Sequence, residues 1–452
     1  MIELITGRSG SGKSELLYRY IREKCADKAI LIVPEQSSFY NEKKLIDDLG
    51  DKIAGRIEVL SFRRLCSNIM EEHKADAGKR IDDGVKAVLM SMAIEKAPSE
   101  GGELELYTKK GKKGLKKTMD LVDPMLIAVN EYKMCLISPE QLFTAAKRVD
   151  SVLLSSKLRD SARIYAAYNA LLENTYEDPD DDLVRLYDIL CEYDHFSGMN
   201  VFIDSFYGFS AQELKVIERI VTQADNVYIT VCCDRNVISD STTIFDEPVK
   251  TYREILHMAQ KRSVPCHITD LSDEGRRFKT ESLRAVENGI FKGYRGGLLT
   301  DQIKNDGSVR MYEAEDIYDE ISHAAKEIFR LVHEKGYKYN EIELIARNLD
   351  EYGSVIRSEF PKYNIPFFLS ESECLDNKAF VRMILSVFDA VHGNYDTEAI
   401  LRIAKSGFAP VSEDEAFELE NYTYIWSIRG RRWLEPFTMS PDGITEKKDD
   451  DA

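Results

Sequence analysis

Nowhere in the chain do about twenty uncharged apolar residues follow one another, so no segment reads as a membrane span. No basic leader or cleavage site precedes the first apolar run, so secretion is not expected. Cysteine is present but unpatterned. Cys25, Cys66, Cys135, Cys191, Cys232, Cys233, Cys266 and Cys374 include no C-x-x-C pair, which suits structural thiols in a reducing cytoplasm better than a metal or cluster frame. Positive charge is also short. With 61 Lys and Arg against 79 Asp and Glu, the net charge of −18 excludes a protein that coats nucleic acid over its whole surface. A local basic track is still open at Lys109, Lys110, Lys112, Lys113, Lys116 and Lys117, although a solvated charged segment is the plainer reading of that run. No internal repeat is present. What remains is a 452-residue chain with 43% hydrophobic residues, too long for one core, and two to four domains are expected.

The strongest local signal lies near the amino end. Gly7-Arg8-Ser9-Gly10-Ser11-Gly12-Lys13-Ser14 matches G-x-x-x-x-G-K-[ST], between the apolar run Ile2 to Thr6 and a helical pattern from Glu15. Glycines there let successive backbone N–H groups turn inward, and the following helix N-terminus adds partial positive charge where phosphates would sit. Lys13 is placed to reach the β- and γ-phosphates and the Ser14 hydroxyl to ligate Mg²⁺. Nucleoside triphosphate binding is the expectation, with Gly7, Gly10, Ser11, Gly12, Lys13 and Ser14 as its first residues.

Further along, residues 29–33 and 57–62 read as strands, the second entering a helix through Arg63 and Arg64. Helical periodicity dominates from Asp83 to about Leu190. Strands are expected again at 200–204 and 226–233, with a helix at 211–221 between them, while 238–306 is irregular and rich in charge. A second β/α stretch is expected over 309–368, with strands at 309–312, 343–347 and 365–368 and a helix at 316–334; from Asn377 the pattern is mostly helical.

A phosphate-binding loop needs a partner carboxylate at the end of a neighbouring strand to hold Mg²⁺, and Asp204 is the candidate. A hydrolase usually follows that Asp with a Glu that orients water; here Ser205 and Phe206 follow. Asp234 is the acidic residue after the next strand, where a motor ATPase often carries a Gln sensor, and no Gln is found there. Metal binding is therefore expected to outlast efficient hydrolysis.

In this order, the glycine loop, Val33-Pro34-Glu35-Gln36, Glu58 to Leu65, Ile137-Ser138-Pro139-Glu140-Gln141-Leu142, Phe202 to Phe209, Tyr363 to Phe368 and Ile428 to Trp433 resemble the AddB family. These are the nuclease-bearing partners in AddAB-type ATP-dependent helicase/deoxyribonucleases, relatives of UvrD-like superfamily 1. The resemblance covers nearly the whole chain. It implies an α/β fold: a P-loop NTPase (RecA-like) parallel-sheet domain 1A over 1–95 and 195–305, with a helical insertion 1B over 96–194. A second RecA-like domain 2A would start at 306–376, and its helical insertion 2B at 377–452. Chains of the family are more than twice as long and end in a nuclease with an iron–sulfur cluster, so this one is expected to be an N-terminal portion whose cysteines do not serve the cluster. The family processes double-strand DNA ends for homologous recombination in the bacterial cytoplasm, as a heterodimer with the active helicase, AddA. AddB chains carry degenerate helicase motifs and help read single-stranded DNA, and ATP and Mg²⁺ are the implied cofactors.

Single-stranded DNA would meet Phe62, Arg63 and Arg64 after the third strand, and Tyr207 and Phe209 after Asp204, by charge neutralisation and base stacking. Two other functions keep the same glycine loop. A nucleotide or small-molecule kinase would leave the 309–368 segment without a place. A non-catalytic scaffold for the helicase partner, with a vestigial nucleotide site, would suit the acidic surface.

Overall fold

The computed structural model describes residues 1–24, 28–50, 54–74, 78–101, 104–107, 114–173, 175–234, 244–272, 275–291, 306–370 and 375–440. The lysine run at 109–113 lies outside them. The chain divides into two units, Met1–Arg310 and Met311–Ala452.

The first unit is built on six parallel strands: β1 (Ile2–Thr6), β2 (Ala29–Ile32), β3 (Ile57–Leu60), β6 (Asn200–Ile203), β7 (Asn226–Val231) and β8 (Cys266–Asp270), in the order β3-β2-β6-β7-β1-β8. Their apolar runs are continuous because both faces are covered, as parallel sheets require. The period of two then sorts side chains into two cores. Ile2, Leu4, Ile30, Ile32, Val201, Ile203, Val227 and Ile229 pack on one face. Ile5, Leu31, Val33, Phe202 and Tyr228 pack on the other, with Phe202 and Tyr228 stacked at 4.7 Å. Helix α1 (Lys13–Lys24) buries Leu16, Leu17 and Ile21 against the second core, and α2 (Ser38–Leu49) adds Leu45. On the first core, α3 (Phe62–Glu72) buries Leu65, Ile69 and Met70.

Between β3 and β6 the chain forms a helical layer with its own core. Helices α4 (Asp83–Gly101), α5 (Gly114–Met134), α6 (Pro139–Ala146) and α7 (Val152–Leu172) enclose Met90, Ala93, Val129, Ile164 and Tyr168. A two-residue ladder, β4 (Lys79–Arg80) with β5 (Tyr176–Glu177), closes its base. An ionic cluster lies beside that ladder. Asp178 accepts from Lys133 at 2.7 Å and pairs with Lys86 at 3.0 Å, while Asp181 and Asp180 take the same two ammonium groups at 2.7 and 2.8 Å. Burial alone raises the pKa of Asp178, but the attraction of Lys133 and Lys86 outweighs it and holds the carboxyl below its ordinary range. The turn Asp178 to Asp182, which the sequence marks as a helix start, is thus also the link between the layer and helix α8 (Asp182–Glu192). The expected helix between β6 and β7 is α9 (Ala211–Gln223), which turns Val216, Ile217 and Ile220 into the first core.

Three boundaries differ from expectation. Phe62 belongs to α3 rather than β3, because the Ser61 hydroxyl accepts from the Arg64 N–H at 3.2 Å and caps the helix one residue earlier. Cys232 and Cys233 follow β7 rather than lying within it. The charged stretch read as irregular contains β8 and two helices, α10 (Asp246–Lys261) and α11 (Glu281–Phe291).

In the second unit, helix α12 (Ile317–Lys335) starts at an Asp316 cap and packs Ile321, Ala325 and Ile328 against Val355, Ile356 and Phe360 of the next helical segment. Helices follow at Ala379–His392, Thr397–Ala404 and Glu413–Ile425. The expected second sheet is a correction. Among the described residues, 309–312, 343–347 and 365–368 enter no ladder, and Met311, Ile345 and Phe368 are 99%, 81% and 91% exposed. Apolar patterning marks a segment that can be buried, but a strand also needs a neighbour to hydrogen-bond, and none of these segments has one. No described helix is long and apolar enough to cross a membrane.

Candidate functional site

The glycine loop leaves the C-terminal end of β1, a central strand, and delivers the chain into α1. Ligands of open parallel sheets collect at this edge. Gly10 and Gly12 take φ of +79° and +96°, in the left-handed region. A Cβ on Gly10 would stand 2.7 Å from the Cβ of Arg277, and one on Gly12 would stand 3.0 Å from Cδ of Arg276. Gly7 opens the loop, and the buried Ser11 hydroxyl has no hydrogen-bond partner. Lys13 donates to the carbonyls of Gly7 and Arg8, both at 2.8 Å, so its ammonium is folded back over the loop. Burial lowers the pKa of Lys13; Cys232 and Asp204 oppose the shift and Arg277 adds to it.

Asp204 lies at the same sheet edge beyond β6, with β7 between it and β1. It is 2% exposed. Thr230 of β7 donates to its Oδ1 at 2.5 Å, whereas Oδ2 is buried with no hydrogen-bond partner. A buried carboxylate oxygen without a donor is costly, and a cation is a natural partner for it. Ser205, at the place where a hydrolase would carry its glutamate, is exposed and has φ of +69°.

A cavity of 540 Å³ joins these groups and is lined by Lys13, Ser14, Lys44, Asp204, Arg276 and Arg277. The two arginines were not singled out from the sequence. They follow β8, and the Arg277 N–H donates to the Gly10 carbonyl at 3.0 Å while its guanidinium reaches Ser9 Oγ at 3.4 Å. Arg276 pairs with Glu15 at 3.2 Å. Only an Arg-Arg pair about 260 residues from the loop signals them, and the strand that carries them there is interrupted by His267 and Thr269. The excess of cations over Asp204 and Glu15 makes the cavity a receptor for an anion with several charges. Asp234 faces Arg8 at 3.9 Å, and Arg8 also meets Glu287 at 3.1 Å, so this acid helps to anchor the loop.

The residues proposed for DNA contact separate. Phe62 and Phe209 are 5% and 8% exposed, and the Phe62 ring packs against Phe206 at 5.5 Å and Phe209 at 6.3 Å. Neither offers a face to a base; the Ser61 cap turns Phe62 inward, and the two rings complete the core beneath β6. Arg63 is exposed and borders a second cavity of 720 Å³ between the sheet and the helical layer. Arg64 is exposed and stands 3.5 Å from Glu42. Tyr207 is 61% exposed, with its hydroxyl donating to the Ile244 carbonyl at 3.0 Å.

Residues 4–287 match the family described as ADDB, N-terminal, and residues 279–428 match the UvrD-like helicase C-terminal domain. Among curated proteins, the chain is 29% identical to the AddB-type subunit of an ATP-dependent helicase/deoxyribonuclease from Clostridium tetani, over 96% of this chain and 38% of that protein. Proteins of the same name from Thermoanaerobacter and Clostridium perfringens are 30% and 28% identical, over 100% and 99% of this chain and 39% of each of theirs. The chain thus spans less than two fifths of the length of these relatives.

Proposed function

The chain belongs to the ADDB N-terminal family, and from that premise we propose that it is the ATP-binding, helicase-like part of an AddB protein that works on DNA ends. The observation that carries this reading is the cavity in which Lys13, Arg276 and Arg277 converge beside the unpartnered Oδ2 of Asp204. The residues present fit a triphosphate and its metal ion. Gly10 and Gly12 leave space that a side chain would fill, and the loop N–H groups and the start of α1 supply donors and partial positive charge. Lys13 would hold the terminal phosphates, with Arg277 and Arg276 closing over them from the β8 side. Ser14 and Asp204 would hold Mg²⁺, which when bound neutralises charge on the β- and γ-phosphates.

Ser205 supplies no carboxylate to take a proton from water. This favours nucleotide binding with little turnover. Within the longer protein, the reading extends to an N-terminal P-loop NTPase (RecA-like) region that pairs with the helicase AddA, binds single-stranded DNA through Arg63, Arg64 and Tyr207, and serves double-strand break repair. Titration with a fluorescent ATP analogue in Mg²⁺ tests the site. Lys13→Ala should weaken binding by about tenfold or more, as expected for losing a charge-assisted contact of ~1.5–3 kcal/mol. Unchanged affinity would refute the phosphate role. A scaffold with a vestigial site predicts no binding by the wild-type chain.

A further inference from the structure

We propose that the first unit carries a site for a divalent first-row transition ion, Zn²⁺ above all, formed by Glu72, His73 and His195 on the side of α3 away from the glycine loop's strand end. The three side chains come from two places in the sequence. Glu72 ends α3 and His73 caps it, while His195 lies in the segment between α8 and β6. One ligand atom from each, two imidazole nitrogens and a carboxylate oxygen, lie within 4.8 Å of one another. His195 Nδ1 and Glu72 Oε2 are already 3.5 Å apart. A tetrahedral ion with bonds of about 2 Å spaces its ligands by about 3.3 Å, so closing the site asks for movements on the order of 1 Å by side chains at the surface.

Three features make this more than a chance meeting. Both imidazoles are held by aromatic neighbours: His73 lies against the Tyr193 ring at 4.2 Å, and His195 meets Phe196 edge-on at 5.1 Å. The ion would sit at a helix C-terminus, where the unpaired carbonyls favour positive charge. The ligand set is two nitrogens and one oxygen, which suits Zn²⁺ and disfavours Mg²⁺ or Ca²⁺. Glu72 is largely exposed, so a fourth position stays open to water. With Glu72 and His73 on one element and His195 on another, a bound ion would tie the end of α3 to the segment that leads into β6 and Asp204.

The test is a Co²⁺ titration of the untagged, metal-stripped full chain, followed by competition with Zn²⁺. One equivalent should give the visible d–d absorption of a four- or five-coordinate ion, without thiolate charge-transfer bands, and Zn²⁺ should displace it. His195→Gln and His73→Gln should each weaken binding by about tenfold or more, and Cys191→Ser, at an exposed neighbouring cysteine, should change nothing. Should either His variant fail to fold, Glu72→Gln at the exposed ligand gives the same reading. Zn²⁺ should also raise the melting temperature of the wild-type chain and not that of His195→Gln. No saturable spectrum, or one unchanged in Glu72→Gln and His195→Gln, would overturn the site.

Discussion

Single residues here change meaning once their neighbours are known. Phe62 reads as a stacking ring beside two arginines, yet it closes a core with Phe206 and Phe209. Phe62→Ala should therefore cost about 3–5 kcal/mol of stability in chemical denaturation. Arg63→Ala with Arg64→Ala should leave the midpoint nearly unchanged and flatten the salt dependence of oligonucleotide binding by about 1.4 in the log–log slope, roughly 0.7 for each lost phosphate contact on a single strand. Arg276 and Arg277 show the opposite case. They were silent in the sequence, but they close on Gly10 and Gly12 and line the cavity with Lys13. Arg276→Ala with Arg277→Ala should weaken triphosphate binding tenfold or more while leaving adenosine binding alone; isothermal titration with both ligands checks it. Glycine spacing was legible because it reflects backbone sterics within eight residues. The arginines were not, because their role depends on a strand arriving from the far end of the unit.

At the scale of elements, local chemistry accounts for most beginnings and ends. Ser61, Ser138, Ser210 and Asp316 each cap the helix that follows them. The turn at Asp178 has a second task, since Lys133 and Lys86 arrive there from two helices. Removing one ammonium leaves buried carboxylates unpaired, so Lys133→Met should cost about 3–5 kcal/mol. The pH dependence follows from the signs. Asp178 has a folded pKa below its unfolded value, so its contribution is complete above the unfolded value of about 4 and is lost as pH falls through the folded one. Lys133 has a raised pKa: burial alone would lower it, and Asp181 and Asp178 outweigh that, so its contribution is lost only as pH rises beyond about 10. Urea denaturation should show an acid loss below about pH 4 that is smaller in Lys133→Met. The periodicity of the helices foretold the layer but not this cluster, because charge spacing along one chain does not say which acids meet which lysines.

For the whole molecule, every group lining the nucleotide cavity and both cores of the sheet lie within residues 1–310. A chain cut after Arg310 should fold and bind the ATP analogue with an affinity within about threefold of the 452-residue chain; a tenfold loss would show that the cavity depends on the second unit. The sequence by itself determined the strand–loop–helix at the amino end, the carboxylate after β6, the missing glutamate at Ser205 and the helical stretch between β3 and β6. Those features rest on sterics, capping and periodicity, which act over a few residues. Tertiary structure alone decided that β7 stands between the loop and Asp204, that Phe62 turns inward, that two distant arginines close the cavity, and that residues 309–312, 343–347 and 365–368 form no sheet among the described residues. Each of these depends on which strands find partners and in what order, and hydrogen-bond pairing between segments far apart in the chain leaves no mark on either segment read alone.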